Sequence, residues 1–255
     1  MARIILWDTE STDLVADFGG MVCMGWKVLG EPRPHILTIR HSPHFSDRPW
    51  DDKHLVKESL KILGSADMWV TWYGMRHDVP FVRTRSLLYN FGDLPPVAHV
   101  DGWRVAKYRL KLHSNRLASV QAFLSLPTHK TSITPEIWRR ANAGHIPSIR
   151  SIEDHCYKDV DVLEEAYDRL RPYIADHPNV GMMDDRPDSC PTCGAEGTLT
   201  RRGTYTARMR KVFRFKCDGL LGCGAWVLGK SNIAFLSPPA INAGQPNSVR
   251  GNRRP

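Results

Sequence analysis

Four of the chain's six cysteines fall within 34 residues, as Cys190-Pro-Thr-Cys193-Gly and Cys217-x5-Cys223-Gly, and this clustering divides the 255-residue sequence. Four thiolates can close a tetrahedral zinc site, and a site closed by protein ligands is structural rather than catalytic. Cys23 and Cys156 stand alone in apolar surroundings, so the spacing reads as a metal site and not as a disulfide framework. A unit this small cannot depend on apolar burial alone, which makes one Zn2+ part of its folding energy. The expected organisation is a main domain over 1–176, a polar, Pro-containing linker over 177–189, the four-cysteine unit over 190–230, and a Pro-, Asn-, Gly- and Arg-rich tail over 231–255 that is expected to be disordered.

Charge follows the same division. From Cys190 onward there are eleven Lys or Arg against two acids, Glu196 and Asp218, a net of +9; the preceding 189 residues hold 24 basic and 25 acidic groups, a net of −1. A neutral body with a basic appendage points to a polyanion partner, nucleic acid being the commonest. Arg201, Arg202, Arg208, Arg210, Lys211, Arg214 and Lys216 alternate with Tyr205, Phe213 and Phe215. That mixture suits phosphate contact and base stacking; a surface for a replication or repair protein is the competing reading. The N-terminus meets an acid at Asp8 and lacks the apolar stretch of a signal peptide. No run approaches the ~20 apolar residues that span a bilayer. The expected location is the cytoplasm, or a host's cytoplasm if the chain is phage-encoded, with no membrane partner.

Residues 1–176 alternate apolar runs with amphipathic stretches. ARIILWDTES, GMVCMGWKVL and HILTIRH read as strands of a meander, HLVKESLKILGSA as a helix ending at Gly64, MWVTWYG as a buried strand, and VPFVRTRSLLYNFG as a helix opening on Pro80. Helices are also expected near Asn115 to Leu124 and Pro135 to Ala143. Ser151 and Asp154 resemble a capping box ahead of a stripe of Ile152, Cys156, Val160, Leu163, Tyr167 and Leu170, a helix of about five turns. Such mixing of strands and helices predicts an α/β domain with a mixed sheet.

Three acidic pieces stand out. Asp8 and Glu10 are two apart on a strand and so share a face, where two carboxylates repel unless a cation intervenes. Mg2+ or Mn2+ is the hard ion that oxygen ligands suit. Asp78 lies between a buried strand and a helix start. His155 and Asp159 lie one helical turn apart, able to pair a metal-binding carboxylate with a proton-accepting imidazole.

In this order ILWDTES, WYGMRHDVPFVRTR and HCYKDVDVLEEAY resemble the motifs of the DEDD superfamily of 3′–5′ exonucleases, over roughly residues 3–172. Asp101 in HVDGWRVAKYRL and the segment SNRLASVQAFL also look like stand-alone members of that group. The resemblance implies a ribonuclease H-like mixed sheet flanked by helices and two-metal hydrolysis of phosphodiester bonds. Asp8, Glu10, Asp78 and Asp159 would hold two Mg2+ or Mn2+, Asp8 bridging both, and His155 would orient or deprotonate water. The implied substrate is the 3′ end of a nucleic acid, single-stranded DNA being favoured; RNA and a catalytically weak nucleic-acid-binding or replication scaffold remain as alternatives. Two departures stand out. His155 occupies the spacing, four before the last Asp, that the family usually gives to Tyr, its His lying five before. Tyr73 and His77 replace the Asn and Phe frequent in the second motif. The cysteine unit, with a partly alternating TLTRRGTYTARMRKVFRFKC between its knuckles, resembles a zinc ribbon.

Overall fold

Every side chain of the run Ile4–Trp7 is buried, and the strand that it opens, β1 (Ile4–Ser11), lies in the middle of a five-stranded sheet ordered β3-β2-β1-β4-β5. The computed structural model describes residues 2–128, 132–208 and 210–235. From β1 the chain turns through β2 (Met21–Val28) and β3 (His35–Thr38), an antiparallel meander. Helix α1 (Lys53–Gly64) carries it back, so that β4 (Met68–Thr71) runs parallel to β1 on its other side. Helix α2 (Asp78–Leu88) leads to β5 (Ala98–Asp101), parallel to β4. There follow α3 (Gly102–Arg109), α4 (Leu117–Leu124), α5 (Pro135–Asn142), the long α6 (Ile146–Leu170) and the short α7 (Val180–Met183). A separate antiparallel sheet, ordered β6-β7-β8, is made of β6 (Leu199–Thr206), β7 (Arg210–Cys217) and β8 (Trp226–Phe235). Strand β8 runs on to Phe235, past the 190–230 bounds expected for the cysteine unit and into the tail expected to be disordered over 231–255. Residues 236–255 of that tail lie outside the described residues.

Alternation along β1 explains the layering. Ile5 and Trp7 pack with Leu55, Val56 and Leu63 of α1 and Val79, Phe81 and Val82 of α2. Ile4 and Leu6, facing the other way, join Val160, Leu163, Tyr167 and Leu170 of α6. A strand covered on both faces reads as a continuous apolar run, as this one does.

One buried polar cluster ties the layers together. The fully buried Asp52 carboxylate, just before α1, accepts both prongs of Arg85 from α2 (2.9 and 2.6 Å), the Tyr89 hydroxyl (2.5 Å) and the Met21 amide at the start of β2 (2.8 Å). The forked guanidinium–carboxylate geometry keeps both buried charges bonded.

Three local expectations change. Helix α2 starts at Asp78 rather than Pro80, with proline still inside the first turn, where its missing N–H costs nothing. Helix α6 starts at Ile146; the Ser151 hydroxyl donates back to the Pro147 carbonyl (3.1 Å) from within the helix and caps nothing. Strand β5 and helix α3 were not foreseen as elements.

Candidate active site

Asp8 and Glu10 leave the α6 side of β1 half-buried, while Thr9 between them is buried. Pairing of β1 with β4 runs from Ile4 to Leu6. Further along, the Thr9 amide donates to Asp78 Oδ1 (3.0 Å) and the Thr9 hydroxyl donates to the same oxygen (2.5 Å). The Asp78 carboxyl group, 2% exposed, therefore abuts the backbone between the first two acids. Burial pushes its pKa up, against the pull of the Thr9 hydroxyl.

The loop that delivers Asp78 is held by Asp101 at the end of β5. Its carboxylate accepts the amides of Tyr73 (2.9 Å), Met75 (3.1 Å) and Trp103 (3.0 Å). Tyr73 sits at φ 70, and a Cβ on Gly74 would lie 2.4 Å from Thr71 Oγ1, so the loop tolerates little but glycine there. Asp101 is thus a positioning residue for the second acidic segment.

The third segment arrives on α6. His155 Nε2 lies 3.7 Å from Glu10 Oε1 and 3.9 Å from Asp159 Oδ2, so one imidazole stands between carboxylates of two elements. Ligand atoms of Glu10, His155 and Asp159 all fall within 4.8 Å of one another, as do those of Asp8, Glu10 and Cys156. Carboxylate oxygens gathered this closely are a donor set that fits Mg2+ or Mn2+. The Cys156 thiol is held well above its ordinary pKa by its hydrogen bond with Cys23 and by burial, which keeps it a weak donor, aimed at the Asp8 carbonyl (3.7 Å).

Gly25, the β2 partner of Asp8, explains why α6 comes so near. Its amide donates to Cys156 Sγ (3.1 Å), and a Cβ there would lie 2.9 Å from Val160 Cγ2 and 3.1 Å from the Cys156 carbonyl. Glycine inside a strand marks such a close approach. Gly25→Ala is expected to lift α6 off the sheet, costing about 1–3 kcal/mol of stability. A shift of about 1 Å in His155 and Asp159 is expected to lower kcat about 10²-fold if they serve the reaction. Wild-type kcat in a folded Gly25→Ala protein, measured at saturating Mn2+, would remove this role.

A family model of the RNase_H superfamily matches residues 5–171, well over half of the chain. The chain belongs to the RNase_H superfamily. Its fold is shared with a family B DNA polymerase from the hyperthermophilic archaeon Pyrobaculum calidifontis, at TM-score 0.50 and 13% identity over 68% of this chain and 26% of the polymerase. The chain therefore spans about a quarter of that polymerase's length. No curated protein matches it. An RNase H-like sheet with acids gathered at the end of its central strand is the scaffold of nucleic-acid-processing nucleases that use divalent metals. Among the described residues no helix is long and apolar enough to cross a membrane.

The cysteine unit lies outside the RNase_H match. Cys190 and Cys193 precede β6, Cys217 ends β7 and Cys223 precedes β8. Sγ atoms approach to 3.9 Å for Cys190–Cys223 and 3.7 Å for Cys193–Cys217, and all four fall within 4.8 Å. A Zn–S bond of about 2.3 Å gives a tetrahedral S–S edge of about 3.8 Å. The four thiols thus fit Zn2+. Gly194 and Gly224, each following a knuckle's second cysteine, take φ of 73 and 84, the left-handed turn that glycine permits.

The seven basic residues named from the sequence occupy β6, β7 and their connection. Arg202 pairs with Asp218 (2.8 Å), and Arg214 donates to the Arg202 carbonyl. Arg201 lies over the Phe213 ring at 3.7 Å, and Arg214 and Lys216 lie over Trp226 at 4.7 and 5.8 Å. Sequence reasoning missed Trp226, whose signal was an aromatic just past a zinc knuckle, beside the strand that carries the cations.

Proposed function

We propose that this protein is a metal-dependent 3′–5′ exonuclease acting on single-stranded DNA, with Asp8, Glu10, Asp78 and Asp159 as ligands of two Mg2+ or Mn2+ and His155 as the residue that orients or deprotonates the attacking water. The observation that carries this reading is the meeting of His155 and Asp159 from α6 with Glu10 from β1, beside an Asp78 tied to Thr9. A scaffold that only bound nucleic acid would have no use for acids collected against their own repulsion. The bound ions would supply positive charge at the scissile phosphate and acidify water there.

The chain's own residues do the rest. Asp101 holds the loop that presents Asp78; Gly25 sets the depth of α6; His155, with carboxylates on two sides, holds a proton that has left water close to where it was taken. The cysteine unit, over 190–230, is a zinc ribbon joined through the 177–189 linker, and its basic face holds the strand.

One solved structural neighbour is a DNA polymerase, which favours DNA over RNA as the first substrate to test. Digestion of 5′-labelled DNA and RNA strands with Mg2+, Mn2+ or EDTA tests direction and substrate together. The expected result is a ladder of progressively shorter 5′-labelled DNA, absent in EDTA. Immediate release of labelled mononucleotide would reverse the polarity, and faster shortening of RNA would overturn the substrate.

A further inference from the structure

Alongside β8, the edge strand of the smaller sheet, runs a groove of about 840 Å3 whose opposite wall is the segment that follows α6, from Ile174 to Thr192. Its volume is in the range of ligand pockets, about 300–1,000 Å3. Phe213 and Phe215 of β7 and Trp226 and Leu228 of β8 line it. Gly229 leaves room beside them, since a Cβ there would lie 3.4 Å from the Phe215 ring. The aromatic lining is not sealed: Trp226 is 55% and Leu228 40% exposed.

Cations lie over these rings from both faces of the sheet, because Arg214 and Lys216 pair with Leu228 and Trp226 while Phe215 between them pairs with Val227. Arg201 stacks on Phe213, and Arg214 and Lys216 reach over Trp226. Asp188 is the acid among the lining residues, and His177, which burial holds below its ordinary pKa, adds no charge at neutral pH. None of the three cations lines the groove itself, but beside the open Trp226 of its edge strand they set guanidinium and ammonium groups against aromatic rings, an arrangement complementary to a ligand with flat apolar faces and a polyanionic backbone.

We infer that this groove is a second binding site for single-stranded nucleic acid, in which unpaired bases stack on Trp226 and its neighbouring rings while Arg201, Arg214 and Lys216 meet the phosphates. Bases offer their faces to side chains when unpaired, which excludes a duplex as occupant. The inference rests on the nuclease reading for its substrate class, but the site is remote from the catalytic acids. His155 and Leu170 are fifteen residues apart on α6, ~22 Å along the helix at ~1.5 Å per residue, and the groove's lining begins just past that far end, at Ile174. At ~3.4 Å per stacked nucleotide that distance takes about seven nucleotides. The groove therefore grips a strand upstream of the end being cut, and strands too short to span the distance do not feel it.

The test uses full-length protein. In an Asp8→Asn background without added Mg2+ or Mn2+, a labelled twenty-nucleotide oligothymidylate and an abasic strand of equal length are titrated by fluorescence anisotropy. Trp226→Ala is expected to weaken oligothymidylate binding about tenfold, to leave the abasic strand unaffected, and to retain wild-type zinc content. In the active chain the same substitution is expected to raise KM on long strands and leave kcat, and tetranucleotide cleavage, unchanged. Unaltered oligothymidylate binding, or an equal loss on the abasic strand, would overturn the groove; a protein occupant would give the first of these results. Should the wild-type chain bind in this pattern but cleave no strand, the groove stands and the nuclease reading falls.

Discussion

Asp159→Ala is expected to abolish metal-dependent nucleotide release, a loss of at least about 10³-fold if several kcal/mol of charge stabilisation are withdrawn from the transition state, without lowering the melting temperature of the metal-free protein. Asp159 and Glu10 both lie within 4 Å of the same imidazole nitrogen. In the absence of divalent ions, deleting one carboxylate removes a repulsion along with one contact to the imidazole between them, so the two effects offset and the fold keeps its stability. Stabilisation by Mn2+ is the more telling readout. A ligand that binds the folded state raises Tm in proportion to the logarithm of its concentration over Kd, and that rise is expected in the wild type and lost in Asp159→Ala. Asp78→Ala differs: it strips a buried acceptor from the Thr9 amide and hydroxyl. Its loss of activity therefore comes with a stability cost of about 1–3 kcal/mol. Retention of full activity by Asp159→Ala, or an unchanged Mn2+ effect on its melting, would remove Asp159 from the site.

The parts of this arrangement that could be read from sequence are those whose physics is periodic. The buried run Ile4–Trp7 announces a central strand, and the stripe from Ile152 to Leu170 announces the helix that packs on it. Same-face spacing of Asp8 with Glu10, and one-turn spacing of His155 with Asp159, then bring four candidate site residues on two segments into view. Other features depend on tertiary context. Asp78 touches Thr9 because β4 pairs with β1 only as far as Leu6, and strand length carries no motif. Ser151 had the look of a cap, yet its hydroxyl bonds backward within a helix that Pro147 had already begun. Strand β5 has four residues, Ala98, His99, Val100 and Asp101, so its apolar–polar alternation is too short to mark a strand. Asp101 stood out in the sequence as a landmark, whereas its work, holding the amides of Tyr73 and Met75, needed coordinates. Gly25 did leave a signal, a glycine inside an apolar strand, but what approached it was legible only from the position of Cys156 and Val160.

Stripping zinc is expected to unfold the three-stranded unit while the RNase H-like body stays folded. Among the described residues between Cys190 and Gly229 the buried apolar ones are Cys190, Val212, Cys217 and Ala225, two of them cysteines themselves. So small a core cannot offset the conformational entropy of ordering the strands. Zinc held by four thiolates contributes roughly 10–16 kcal/mol of apparent binding energy in small modules at neutral pH, more than the core can replace. The body by contrast has three apolar clusters and the buried Asp52–Arg85 pair, and owes nothing to the metal. One zinc per chain is expected by elemental analysis, and Cys223→Ser is expected to lower its occupancy because it removes a vertex from a closed tetrahedron. After chelation, proteolysis should cut within 190–230 and leave residues up to about Ser189, whose Ile174 and Val180 pack in the body's core, as a resistant fragment that still melts cooperatively. The two units touch, through the Val180 amide on the Pro191 carbonyl (2.8 Å) and the packing of Gly224 beside Pro172, so the body's melting point should fall slightly when the ribbon opens. A chelated protein whose ribbon resists protease as well as the zinc-loaded one would show that the thiols, and not a metal, hold the strands together.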